Sequence, residues 1–237
     1  MKFNIAHLGQ TVLRYQMPLE TLTQLTNIYR DKINEMPLEI LGQLQSIYRD
    51  KVNEMPLANP QLVGKINNEK SFFYNGPDVP EKNIHPHNFL SKQIIAFYYE
   101  VFNHYLKWNK IKDYKCNLSS VWINEMKEHE YNPIHVHQGN LFTGLSSVLI
   151  ISIPKSYGVE YSSPDKPLNG QLMILGSSSG MFAHIDYQPA NIKPGDLFIF
   201  PYDMRHGVYP FNGPGKRITV AANLDVTYNP IKNRGTS

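Results

Sequence analysis

Three histidines and one arginine have the residue types and the order needed to hold a metal ion beside an anionic co-substrate. His135 and His137 form a His-x-His pair within IHVHQG. Residues two apart on an extended strand point to the same face, so both imidazoles can converge on one ion. His206 follows 69 positions after His137, just past the apolar segment GDLFIFP, and Arg217 stands eleven positions beyond it within RITVAANLDV. Three ligands gathered on one side of an ion leave its other positions open to a chelating co-substrate and O2. Arginine suits the remote carboxylate of such a co-substrate, because its planar fork bonds a carboxylate bidentately and stays charged. Thr219 is two residues further along the same strand face and can donate a second bond. A His-x-His pair alone serves many ordinary purposes. The set of four, in this order, is what points to a metal site.

Two other pairs are set aside. His184-Ile185-Asp186 is a His-x-Asp, but it ends only 20 positions before His206, too near for the strands that should separate the first and last ligands. His85-Pro86-His87 sits in a Pro-rich stretch with no distal partner. The segment HEYNPIH, His129 to His135, lacks the i, i+4 spacing of a helical zinc motif.

The elements that must position these residues are strands. From Asn117 onward, short segments rich in Val, Ile, Leu and Phe alternate with Gly, Pro, Ser and Asn clusters. The candidate strands are LSSVWINEM, IHVHQG, LSSVLIISIP, GVEYSS, QLMILGS, GDLFIFP, GVYPF and RITVAANLDV. Eight strands at this spacing predict a mainly β sandwich, jelly roll or barrel. There is neither βαβ alternation nor a glycine-rich phosphate loop.

The N-terminal part reads differently. Residues 17–54 hold two tandem copies of a 19-residue unit, MPLETLTQLTNIYRDKINE and MPLEILGQLQSIYRDKVNE. Leu22, Leu25, Ile28 and Tyr29, and again Leu41, Leu44, Ile47 and Tyr48, fall at helical spacing. Each copy has a Pro near its start, where a missing N–H costs nothing. The reading is two amphipathic helices, serving as a support layer or a protein contact. Two units are too few for a solenoid. Residues 58–88 read as loop, and Phe89 to Trp108 as a helix packed on the sheet, with His104 in a packing or surface role. The expected organisation is a helical support region over 1–114 and a β core over 115–237, integrated as one domain.

Bulk composition narrows the classes. The chain has 237 residues, is 41% hydrophobic and 18% charged, and carries a formal net charge of +3. This is the profile of a folded globular protein. Its lysines and arginines are scattered, with no patch for nucleic acid. The one cysteine, Cys116, excludes an internal disulfide framework and fits a reducing compartment. No apolar run reaches the roughly 18 residues of a membrane helix, and MKFNIAHLGQTVLRY lacks the apolar core of a signal peptide. The expected location is therefore the cytoplasm, that of the host if the gene is a phage's.

The stretches NPIHVHQGNLFTG, NGQLMIL, PGDLFIFPYDMRHGVYP and KRITVAANLDV resemble a family of 2-oxoglutarate/iron(II)-dependent oxygenases of marine bacteria and their phages, distantly akin to prolyl 4-hydroxylases. The positions that carry the resemblance are His135, His137, Gly144, Pro194, Gly195, Asp196, Phe200, Pro201, His206, Arg217, Thr219 and Asn223, within about Val121 to Val226. The resemblance implies a double-stranded β-helix and a dioxygenase, with Fe(II), 2-oxoglutarate and O2 as cofactors. It implies Fe(II) on His135, His137 and His206, and 2-oxoglutarate held by Arg217 and Thr219, with Asn124 facing the co-substrate. The reaction would couple decarboxylation of 2-oxoglutarate to succinate and CO2 with C–H hydroxylation of a substrate, either a small molecule or a protein. One departure stands out: most of the wider superfamily has Asp or Glu where this chain has His137, so three neutral imidazoles leave the ion its full double charge. Read from the residues alone, two alternatives stay open: a cupin-like metal enzyme that does not use 2-oxoglutarate, and a non-enzymatic jelly-roll binding or virion protein. The duplicated helices leave room for a homo-oligomer.

Overall fold

The computed structural model describes residues 2–7, 11–16, 28–58, 64–73, 89–163, 165, 167–176 and 186–228. Its strands are β1 (Lys2–His7), β2 (Thr11–Gln16), β3 (Asn68–Ser71), β4 (Tyr114–Met126), β5 (Asn132–His135), β6 (Gly144–Ser152), β7 (Leu172–Leu175), β8 (Asp186–Tyr187), β9 (Leu197–Pro201), β10 (His206–Val208) and β11 (Arg217–Tyr228). The helices are α1 (Ile28–Lys51) and α2 (Lys92–Trp108), and a 3-10 turn (Val52–Glu54) follows α1. Seven strands form one sheet in the order β1-β2-β9-β6-β11-β4-β3, and four form a second in the order β5-β10-β7-β8, with antiparallel pairing throughout.

Period-two alternation along the central strands sorts side chains between two compartments. On β11, Ile218, Val220, Ala222, Leu224 and Val226 face the helices, where they join Val121 and Ile123 of β4 in the main core. The helices meet them there with Ile40 and Leu44 of α1 and with Ile94, Phe97, Val101 and Phe102 of α2. Those α2 positions recur at helical spacing, and Ser91 caps the helix by accepting the Ile94 N–H at 3.2 Å. The opposite face of the large sheet looks toward the small sheet. There Val148, Ile150, Phe198 and Phe200 pack on Leu172 and Ile174. Two facing antiparallel sheets with a core between them, and helices behind the larger one, make this a double-stranded β-helix.

Several elements differ from expectation. The region 1–114, read as helical, also contains β1, β2 and β3, all of which join the large sheet. The strand character of β2 comes from docking on β9, with Leu13 opposite Ile199, a long-range pairing that a six-residue segment does not announce. The two helices expected from the tandem copies are one helix over the described part: α1 continues from the first copy into the second through Pro37, and no other breaker separates the copies. Residues 17–27, most of the first copy, lie outside the described residues, as do His85-Pro86-His87 and His184-Ile185. GVEYSS is loop. Gly158 adopts φ 81°, and the Asn169 side chain donates to the carbonyls of Tyr157 and Val159 at 3.0 and 2.8 Å, taking the place of ladder partners. His104 is a packing residue, with its Nδ1 2.6 Å from the Tyr15 hydroxyl. Among the described residues no helix is long and apolar enough to cross a membrane.

One buried carboxylate makes the fold pH-sensitive. Glu69 on β3 is the cross-strand partner of Asn124 and is only 3% exposed. Burial, with the nearby Glu130 carboxylate, raises its pKa to about 7. In the unfolded chain it titrates near 4.5. The favourable contribution of the protonated form is therefore complete below that value and is lost as pH rises through 7. Two and a half units correspond to about 3 kcal/mol. Glu69→Gln is expected to raise the melting temperature at pH 8 and to leave it nearly unchanged at pH 4.5. An equal shift at both values would place the effect in packing rather than titration.

Candidate metal and co-substrate site

The small sheet brings two of the three histidines together through strand register, since His206 on β10 is the antiparallel partner of His135 on β5. Each ring is oriented by its own backbone. His135 Nδ1 donates to the Pro133 carbonyl at 2.7 Å, and His206 Nδ1 donates to the Met204 carbonyl at 2.9 Å. With that nitrogen carrying the proton, Nε2 of each neutral ring presents its lone pair.

His137 arrives by another route. β5 ends at His135, so the expected single strand carrying both histidines stops short of the second. His137 lies in the following loop, its backbone N–H bonded to the Tyr202 carbonyl at 2.8 Å and its ring 5.7 Å from that of Trp122. It still reaches the same point. Its Nε2 is 3.0 Å from His206 Nε2, and a ligand atom from each of the three imidazoles lies within 4.8 Å of the others. Burial lowers the pKa of all three rings. It takes His206 down to about 3, with help from His135, and takes His137 well below the usual histidine value, with help from both neighbours. Three neutral imidazoles facing one point form a donor set suited to a divalent cation.

The same cavity contains a second feature of opposite kind. Arg217, Thr219 and Ala221 on β11 are cross-strand partners of Met126, Asn124 and Trp122 on β4, and all six line the cavity with the three histidines. Arg217 is 3% exposed. The Tyr157 hydroxyl, a neutral group, lies beside its guanidinium, while Nε and Nη2 have no hydrogen-bond partner among the described residues. None of the ion pairs among the described residues includes it. Burial lowers its pKa and the Tyr157 contact opposes that, but an arginine remains charged. Asn124 Oδ1, on the neighbouring strand, is likewise buried without a partner. A buried cation with no anion paired to it among the described residues, and an unsatisfied polar atom on the neighbouring strand, suit a carboxylate-bearing ligand.

Residues 120–223 match the sequence model of the family described as "Putative 2OG-Fe(II) oxygenase". Over that stretch, from β4 to β11, the chain is similar to the 2OG-Fe(II) oxygenases. Solved structures share its fold. A prolyl hydroxylase in complex with a hypoxia-inducible factor peptide, from Trichoplax adhaerens, superposes with TM-score 0.50 at 14% identity, over 94% of this chain and 85% of that one. The non-heme α-ketoglutarate-dependent epimerase SnoN of nogalamycin biosynthesis gives TM-score 0.53 at 10% identity, over 92% and 79%. At such identities the likeness concerns the fold. The search of curated protein sequences found no match. Enzymes of this family use Fe(II), 2-oxoglutarate and O2.

Every site residue named from the sequence lines this cavity: His135, His137, His206, Arg217, Thr219 and Asn124. Three of its features were not anticipated. Tyr157, the neutral partner of Arg217, lies in a loop with no sequence signal. Trp122 and Met126 carry one, since they flank Asn124 at a spacing of two on the same strand face. The ties that hold the His137 loop involve residues remote in sequence, Tyr202 just past β9 and Asp225 on β11.

Proposed function

We propose that His135, His137 and His206 hold Fe(II), that Arg217 with Thr219 takes the remote carboxylate of 2-oxoglutarate, and that the enzyme hydroxylates a C–H bond of its substrate. The observation that carries this reading is the burial of an uncompensated guanidinium in the cavity where three neutral imidazoles converge. When bound, iron and 2-oxoglutarate supply the oxidising power by which O2 reacts with a C–H bond. The chain's part is to bind, orient and exclude water. The carbonyls of Pro133 and Met204 fix two ring tautomers, so no proton has to move for those Nε2 atoms to donate. Nε and Nη2 of Arg217 present two N–H groups that a carboxylate can accept together. Trp122, Met126 and Val148 supply an apolar wall that keeps the dielectric low and strengthens that pairing. A reducing cytoplasm, which keeps iron ferrous and Cys116 a thiol, is the compartment this reading favours.

The test is an anaerobic titration of the Fe(II)-loaded protein with 2-oxoglutarate, followed by the visible charge-transfer band of the chelate. It requires no knowledge of the substrate. A saturable band is the expected result. Iron bound without a band would instead support a cupin-like metal enzyme that does not take 2-oxoglutarate.

A further inference from the structure

His135 and His206 are oriented by carbonyls two residues upstream on their own chain segments. No such carbonyl contact orients His137 among the described residues; its loop is tied to β11 by the Asp225 carboxylate and, at its far end, by the two hydrogen bonds between Thr143 and Val226. Asp225 on β11 is 3% exposed and lies on the same strand face as Arg217, toward the other end of the strand. Its Oδ2 accepts the backbone N–H of Asn140 at 3.0 Å, and its Oδ1 accepts the Tyr202 hydroxyl at 3.1 Å. Tyr202 in turn offers its carbonyl to the His137 N–H and donates its own N–H to the Gly144 carbonyl at 3.1 Å. Asp225 therefore holds the loop directly at Asn140 and indirectly at His137. Ser119, the extra residue where β4 bulges against β11, lies with its Oγ 3.3 Å from the Tyr202 hydroxyl and 3.1 Å from the Asn223 carbonyl. The loop approaches so closely that a Cβ on Gly139 would sit 2.0 Å from Asp225 Oδ1, closer than real Cβ atoms come. Only glycine permits that approach.

We infer that Asp225, acting through Tyr202 and the 137–143 loop, is the positioning residue for the His137 imidazole and so sets the third donor of the metal site. The inference rests on the reading of the three histidines as the metal ligands. The physical reason is that a donor carried on a loop must otherwise be ordered at the moment the ion binds, and the Asp225 contacts place that ordering in the fold itself. The buried carboxylate is compensated by the N–H and O–H donors it receives.

The test uses the full-length, metal-free protein and Co(II) as probe, with affinity and the visible d–d spectrum as readouts. Asp225→Asn is measured in two backgrounds, with His137 intact and in His137→Ala. The expected result is a loss of about ten- to a hundred-fold in Co(II) affinity, with a changed spectrum, in the first background. In the second, the loss should shrink to less than about threefold, the margin for independent sites. Tyr202→Phe removes one of the two bonds to Asp225, so a smaller loss, again dependent on His137, is expected; it serves as the test if Asp225→Asn does not fold. Equal losses in both backgrounds, or undiminished affinity in a folded variant, would overturn the positioning role alone. If the unsubstituted protein does not bind Co(II), the metal site itself is overturned, and this proposal with it.

Discussion

Arg217→Met is expected to abolish saturation of the 2-oxoglutarate chelate band and, at the same time, to raise the melting temperature of the ligand-free protein. Both effects follow from one observation: a buried guanidinium whose Nε and Nη2 have no partner among the described residues and whose neighbour Tyr157 offers a neutral hydroxyl. An uncompensated buried charge costs several kcal/mol, and replacing buried ions with apolar groups of similar size commonly stabilises by about 1–4 kcal/mol. In a chain of this length each kcal/mol moves the melting temperature by roughly 2–4 °C. Removing one partner of a buried charge pair costs about 2–5 kcal/mol of binding, some 30- to several-thousand-fold in Kd. The signature is a crossing. Saturating 2-oxoglutarate stabilises the unsubstituted protein, as any ligand specific to the folded state does, whereas the methionine variant starts more stable and does not respond. Arg217→Lys keeps the charge but loses the fork, so it should bind with intermediate affinity. Unchanged 2-oxoglutarate affinity in Arg217→Met would remove the arginine from the site. Destabilisation without ligand would show that Tyr157 compensates the charge.

Why this much was readable from sequence, and no more, comes down to which interactions are local. Arg217 and Thr219 could be placed because strand alternation is a local rule, whereas Asn124 came from the family resemblance; β11 and β4 are long, and their apolar faces are filled at every second position by Ile218, Val220, Val121 and Ile123. His206 could be placed because it follows an apolar strand, and His135 because it lies within one. His137 reached the site for a reason other than the one inferred. Spacing by two on a strand would have placed it, yet the strand ends first and the Tyr202 carbonyl and Asp225 carboxylate do the placing, 65 and 88 positions away in sequence. The N-terminal hairpin was missed for the same reason, since β2 is a strand by virtue of the β9 edge that it completes. The duplicated helices misled in the opposite direction. Repeat boundaries were read as helix boundaries, but α1 crosses from one copy to the next, and Tyr48, from the second copy, bonds Glu125 on the helix-facing side of β4. Glu125 also pairs with Lys216 at 3.0 Å, so the repeat reaches the sheet one residue before Arg217.

The donor set yields the other large effect. His206 is the most enclosed of the three imidazoles and the one whose ring nitrogen lies within 3.0 Å of His137 Nε2. His206→Ala is therefore expected to eliminate Fe(II) binding and the chelate band together, with circular dichroism checking that the fold is retained. His137→Asp should behave differently. An all-imidazole set favours nickel, copper and zinc, and a carboxylate donor moves preference toward manganese and similar harder ions. It also removes one unit of the ion's charge. The aspartate variant is expected to keep Fe(II) and to lower the ratio of Ni(II) to Mn(II) affinity by about tenfold, or about 1.4 kcal/mol, whereas His137→Ala should weaken every metal. If His137→Ala binds as tightly as the unsubstituted protein, the ion rests on His135 and His206 alone, and the short contact between His137 and His206 is simply a hydrogen bond between two neutral rings. If His137→Asp loses iron as completely as His206→Ala, the loop that Asp225 holds is too rigid to bring a shorter side chain to the ion. The histidine at this position would then be a requirement of reach as much as of charge.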